Sequence, residues 1–212
     1  TVVALVEQRL PDAEAVHGHY HDALGDIGRR GRPTHLSVKL TQLGLDQSTQ
    51  HAAACTENVT AGWAEGGAPV WIDMESSRYT DVTIDIFRRT RAQHENIGLC
   101  LQAYLHRTTQ DLQNLLDSTT AIRLVKGAYK EGGDVALQSK KDVDANYLSC
   151  AILLLKAAKD RTIGYAPAFA THDGALIEAI AEHARKLGVP RNNFEFQMLY
   201  GINSAGQQKL AN

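Results

Sequence analysis

The sequence predicts an α/β fold, a (β/α)8 TIM barrel that is incomplete because its eighth strand and final helix are missing. Three observations carry that expectation. Short apolar runs alternate with longer amphipathic stretches about seven times along the chain. That alternation implies parallel strands joined by helical crossovers. Neither a GxGxxG turn nor a GxxxxGK[ST] loop is present, so an open nucleotide-binding sheet is the poorer solution.

The strands come first. Leu36–Leu40 follows Arg32-Pro33, and Val70–Asp73 follows Gly66-Gly67 and Pro69. Ile97–Gln102, Ile122–Lys126, Ala168–Thr171 and Phe194–Leu199 are similar runs, too short for helices. Val2–Glu7 is a weaker seventh strand. Between them lie expected helices over Ala13–Ile27, Ser48–Ala64, Tyr79–His94 and Thr108–Leu116. In Asp142–Lys159 the apolar residues Val143, Tyr147, Ala151, Leu154 and Ala158 form a helical stripe. Leu176, Ile180, Ala184 and Leu187 form another, stopped by Gly188-Val189-Pro190, with Asp173 or Thr171 as its cap. A closed barrel needs eight such units and about 250 residues. The chain has 212, so a single partial barrel domain over 1–212 is expected.

Composition narrows the function. Hydrophobic residues are 43% and charged residues 22%, ordinary globular values. The net charge of -2 has no basic block behind it, which argues against a nucleic-acid partner. Cys55, Cys100 and Cys150 lie far apart with no CxxC pair, so neither a disulfide framework nor structural zinc is expected. A reducing, cytoplasmic setting follows. Asn58-Val59-Thr60 matches a glycosylation sequon by chance, inside a helical stretch. No run is long and apolar enough to span a bilayer.

Barrel enzymes carry their chemistry at the C-terminal ends of the strands. Those ends here read Lys39-Leu40-Thr41-Gln42, Asp73-Met74-Glu75, Gln102 with Tyr104, Arg123 with Lys126-Gly127-Ala128-Tyr129, Thr171-His172-Asp173, and Glu195 with Gln197 and Tyr200. One polar residue in an apolar strand has a plain explanation, such as an internal salt bridge. Six strands doing so at one end predict a polar-lined mouth.

In order and spacing these segments resemble the proline dehydrogenase family. The likeness rests on Ser37–Leu45, Ile72–Glu75, Leu101–Tyr104, Arg123–Tyr129, Phe169–Asp173 and Glu195–Gly201, and it covers nearly the whole chain from about Thr34. The resemblance implies an FAD-containing barrel that oxidises L-proline to Δ1-pyrroline-5-carboxylate. It implies that Lys39 holds the substrate carboxylate and that the catalytic Asp73 positions Lys39. Tyr129 and Leu199 would line the substrate side. Met74, Gln102, Lys126, Gly127, Ala128, Thr171, His172, Glu195 and Gln197 would contact the flavin, and Arg123 would lie near its N5. The resemblance also implies a membrane quinone as electron acceptor, peripheral contact with the inner membrane, and a pyrroline-5-carboxylate dehydrogenase, separate or fused, as the next enzyme. The family's last helix carries two arginines that grip the substrate carboxylate. It is missing here, so turnover is not expected from these 212 residues alone.

These residue types suit that chemistry. A fixed cation on the substrate carboxylate sets the distance between donor carbon and acceptor, and such orientation supplies at best about 7–11 kcal/mol. A cation near the flavin ring stabilises developing negative charge. Gly127 leaves room for close backbone approach.

His17-Gly18-His19-Tyr20-His21 places His17 and His21 on one helical face, but solvated surface histidines are the plainer reading and no metal is expected. Lys126 in a barrel mouth also fits a Schiff-base lyase or aldolase. A non-catalytic truncated barrel is a third reading. Arg29-Arg30 and Arg88-Arg89 read as solvated helix faces or ends.

Overall fold

A computed structural model describes residues 2–5, 18, 20, 34–62, 69–117, 120–160, 163, 165–199 and 202. The expected helix over Ala13–Ile27 lies outside them apart from Gly18 and Tyr20, as do His17, His19, His21, Arg29, Arg30 and Tyr200. The chain divides into two compact units, Thr1–Cys100 and Leu101–Asn212.

In the first unit the elements are β1 (Val2–Leu5), β2 (Thr34–Val38), α1 (Thr49–Gly62), β3 (Val70–Ile72), α2 (Thr80–Arg91) and the start of β4 (Ile97–Gln102). Every pairing is parallel, with Val2 opposite Thr34, Val38 opposite Ile72 and Val70 opposite Ile97. Leu36, Val38, Val70, Ile72, Ile97 and Leu99 are all fully buried. Unbroken apolar burial is what a parallel strand shows when both faces are covered. Gly98 lets β4 pass the ring of Trp71: a Cβ there would lie 2.6 Å from two ring carbons. Trp71 in turn donates its Nε1–H to His35 Nδ1 at 3.0 Å. Thr56 and Thr60 are buried polar residues of α1, and each donates its hydroxyl to the carbonyl one turn earlier, Ala52 and Thr56 respectively, at 2.7 Å.

The second unit holds the last two residues of β4, then α3 (Thr108–Leu115), β5 (Ile122–Val125), α4 (Lys140–Lys159), β6 (Ala168–Ala170), α5 (Gly174–Leu187) and β7 (Glu195–Gln197). Pairing is again parallel, with Arg123 opposite Ala168, Val125 opposite Ala170, and Ala170 opposite Gln197. Tyr147, Cys150, Ala151, Leu154 and Leu155 bury the inner face of α4. The Tyr147 hydroxyl finds its partner in Leu124 O at 2.9 Å. Phe169, Phe194 and Phe196 meet with ring centroids 5.8–6.1 Å apart, within the range of favourable aromatic pairs.

The α/β class and the order of these elements match the sequence expectation. The boundaries differ at strand ends. β2 spans Thr34–Val38 rather than Leu36–Leu40, because Lys39 and Leu40 already turn: Lys39 O accepts from Gln42 N and Leu43 N. Asp73, Lys126 and Thr171 likewise fall just beyond β3, β5 and β6, and Phe194, Met198 and Leu199 lie outside β7. α4 starts at Lys140 instead of Asp142, since Ser139 caps it by accepting from Asp142 N at 3.1 Å. Asp173, not Thr171, caps α5. Among the described residues no helix is long and apolar enough to cross a membrane.

The Gly98–Trp71 contact generates a stability prediction. Gly98→Ala forces the indole to shift and costs about 1–3 kcal/mol, as overpacked cores do. Chemical denaturation followed by tryptophan fluorescence should show a lower midpoint with an unchanged slope.

Candidate active site

In the first unit, Lys39 follows β2 and Asp73 follows β3, each by one residue. Because Val38 faces Ile72 in the ladder, those next positions come out side by side. Lys39 Nζ lies 3.5 Å from Asp73 Oδ2. Asp73 Oδ1 accepts from the thiol of Cys100, a buried residue of β4, at 3.3 Å. The carboxylate is thus held from two sides. Around this pair, Thr41 donates its N–H and hydroxyl to Glu75 at 3.0 and 2.7 Å. Burial raises the Glu75 carboxyl above its usual range despite those bonds. Tyr20 is buried and donates to Gln42 Oε1 at 3.1 Å, and burial raises its phenol. Met74 is buried as well.

The second unit gathers a larger set. Arg123 sits in β5 with 5% exposure. Burying a guanidinium is costly, so such a position is a natural seat for compensating negative charge. Lys126 follows β5 and reaches Asp144 Oδ1 at 2.5 Å and Asp173 Oδ2 at 2.9 Å. Lys140 meets the same two carboxylates, Asp144 Oδ2 and, at 2.8 Å, Asp173 Oδ2. Asp173 Oδ1 meanwhile accepts from Ala175 N and Leu176 N at the start of α5. Its bonds from Lys140 and Lys126 hold the Asp173 carboxyl well below the usual carboxylate range. Asp144 is lowered too: burial raises it, but Lys126 and Lys140 outweigh that.

Along the neighbouring strand tips, Thr171 N donates to Gln197 O at 3.2 Å, and Thr171 Oγ1 accepts from Asp173 N at 3.2 Å. Gln197 donates to Glu195, two residues away on the same strand face. Gln102 is buried in β4. His172 Nε2 accepts from Leu199 N at 3.4 Å, while its Nδ1 is a buried atom with no hydrogen-bond partner among the described residues. Ala128 is exposed, Tyr129 is 38% exposed and Leu199 53%. A buried ring nitrogen without a hydrogen-bond partner among the described residues, on a histidine that meets the exposed Leu199, fits a ligand that is itself both planar-apolar and hydrogen-bonding. A flavin is such a ligand.

Two expectations change in detail. Gly127 has φ 117°, and a Cβ on it would lie 2.3 Å from the ring of Tyr104. Its reason for being glycine is therefore internal to the protein. Burial pushes the Tyr104 phenol up to about 12, with the charge of Glu131 adding to the rise. Lys126, for its part, is committed to two carboxylates, whereas a Schiff-base nucleophile must present an uncommitted amine. Asp144, Lys140 and Cys100 were not anticipated. Only the polar character of Lys140 and Asp144 at the start of a helix hinted at the first two.

A proline dehydrogenase family model matches residues 4–212. The chain is 37% identical over 177 residues to proline dehydrogenase 2 of Bacillus subtilis (strain 168), covering 84% of this chain and 56% of that protein. It is 34% identical over 204 residues to proline dehydrogenase 1 of the same strain, covering 94% and 64%. The chain thus spans less than two thirds of the length of these relatives. Among solved structures it is similar to proline utilization A from Bdellovibrio bacteriovorus inactivated by N-propargylglycine, with a TM-score of 0.81 and 27% identity over 95% of this chain and 26% of that one.

The charge cluster predicts an acid limb. A carboxyl lowered in the fold binds its proton less tightly than in the unfolded chain. Its stabilisation is therefore complete above about pH 4 and is lost as pH falls below that. The melting temperature should fall more steeply between about pH 4 and 2.5 in the wild type than in Asp173→Asn, since asparagine keeps the helix cap but not the charge.

Proposed function

Because the chain belongs to the proline dehydrogenase family, we propose that the full-length protein oxidises L-proline to Δ1-pyrroline-5-carboxylate with FAD as its cofactor, the first step of proline breakdown to glutamate. The family's (β/α)8 barrel is the architecture we assign to that full-length protein. The observation that carries the reading is the Lys39–Asp73 pair just beyond the tips of β2 and β3, backed by Cys100 within β4. It offers an oriented ammonium to a small carboxylate, with its counter-ion fixed from behind.

When bound, FAD supplies the two-electron acceptor for the hydride from proline C5. Everything else falls to the protein. Lys39 binds the substrate carboxylate, and Asp73 keeps the Lys39 head group in place. Leu199 and Tyr129 offer exposed apolar surface against which the proline ring packs. Arg123 stabilises negative charge on the cofactor through its buried cation. Met74, Gln102, Lys126, Gly127, Ala128, Thr171, His172, Glu195 and Gln197 hold the cofactor, with His172 Nδ1 as a ready hydrogen-bonding atom. Loss of the C5 hydride from the amine form of proline would leave a C5=N iminium, whose one N–H proton would pass to water to give the imine.

A quinone at the membrane surface would take the electrons, and we place the protein in the cytoplasm, peripheral to the inner membrane. The product passes to a pyrroline-5-carboxylate dehydrogenase. Proline utilization A, to which the chain is similar in fold, includes an example described as bifunctional, and this supports a fused or closely coupled second enzyme.

Two measurements test the reading on the full-length protein. Purified protein should carry a visible flavin spectrum that bleaches on anaerobic addition of L-proline. A colourless protein, or a flavin indifferent to proline, would overturn it. Lys39→Ala should raise KM for proline by about 30-fold or more, since truncating one partner of a charge pair costs about 2–5 kcal/mol. An unchanged KM would remove Lys39 from the substrate site.

A further inference from the structure

Resting on the flavin reading above, we infer that Asp144 and Lys140 are positioning residues that fix the head group of Lys126 for cofactor binding. Lys126 stands one residue beyond β5 on a flexible four-carbon stem that carries about 2 kcal/mol of rotamer entropy. Two carboxylates remove that freedom, and they arrive from different elements. Asp173 is itself immobilised, because its other oxygen caps α5. Asp144 comes from the second turn of α4 and gives Oδ1 to Lys126 and Oδ2 to Lys140.

Lys140 has no good local reason to be where it is. It occupies the first position of α4, where the helix dipole disfavours a cation. A lysine four residues before an aspartate is also the weaker orientation of that helical pair. Its placement makes sense against the carboxylate pair. Asp144 and Asp173 facing Lys126 alone would sum to one net negative charge beside a ligand that carries phosphates. With Lys140 added, two cations balance two anions. The groups are only partly shielded from water, with side-chain exposures of 28% for Lys126, 23% for Asp144 and 17% for Asp173, so screening does not erase their mutual attraction. Lys140 is 73% exposed, which leaves charge balance rather than packing as its contribution.

The test is reconstitution of the full-length apoprotein with FAD, read by flavin fluorescence quenching, with the melting temperature of each apoprotein as the folding control. Asp144→Asn should weaken FAD binding about tenfold, the equivalent of about 1.4 kcal/mol. Lys140→Gln should weaken it about threefold, and Asp144→Glu should restore most of the loss. The signature of positioning is non-additivity: Lys126→Met with Asp144→Asn should bind no worse than Lys126→Met alone. Wild-type affinity in both Asp144→Asn and Lys140→Gln, or losses that simply add to that of Lys126→Met, would overturn the inference. If Asp144→Asn fails to fold, exposed Lys140→Gln decides alone. A wild-type protein that takes up no flavin overturns the underlying reading as well, an outcome distinct from flavin binding that ignores residue 144.

Discussion

Parallel register is the constraint on which the described chemistry depends. Val38 opposite Ile72 delivers Lys39 to Asp73, and Ala170 opposite Gln197 delivers Thr171 to the end of β7. Side chains on a strand alternate with a period of two, so a slip of one residue would send every tip residue to the opposite face. Register is secured by buried apolar pairs rather than by the polar tips. Leu36, Val38, Val70 and Ile72 in one unit, and Leu124 and Phe169 in the other, are excluded from water. The apolar cores thus fix the geometry, and the polar tips are carried by it.

Each unit then meets its electrostatic obligations locally. Lys39 and Asp73 are partly exposed, and their pairing at 3.5 Å is a modest contributor to stability by itself. Its value lies in orientation, which the Cys100 thiol reinforces. In the second unit, Lys126 and Lys140 each pair with both Asp144 and Asp173, so that two cations balance two anions. Arg123 lies within β5 and is only 5% exposed, so its cation is screened less by water than those at the strand tips.

Much of this was legible in the sequence, and the reasons are specific. Strands such as Ile97–Gln102 announced themselves because apolar runs flanked by turn residues have few other uses. The tip residues followed because lysine, aspartate and arginine at the ends of such runs are expensive without a purpose. What stayed hidden was whatever depends on contacts between distant positions. Nothing local pairs residue 126 with 144 and 173, or marks Cys100 as more than a small buried hydrophobe. Gly127 looked like space left for a ligand, yet the ring that needs the space belongs to Tyr104. Strand ends were overextended because a residue such as Leu40 is buried whether it continues a strand or begins a turn.

We propose that the tips of β2 and β3 orient the carboxylate of a small cyclic amino acid. A crystal structure of the full-length protein bound to an unreactive five-membered-ring carboxylate tests it most directly. Lys39 Nζ should lie within about 3 Å of a ligand carboxylate oxygen, with Asp73 still behind it. A carboxylate seated elsewhere, with the Lys39–Asp73 pair turned away from the ligand, would contradict it.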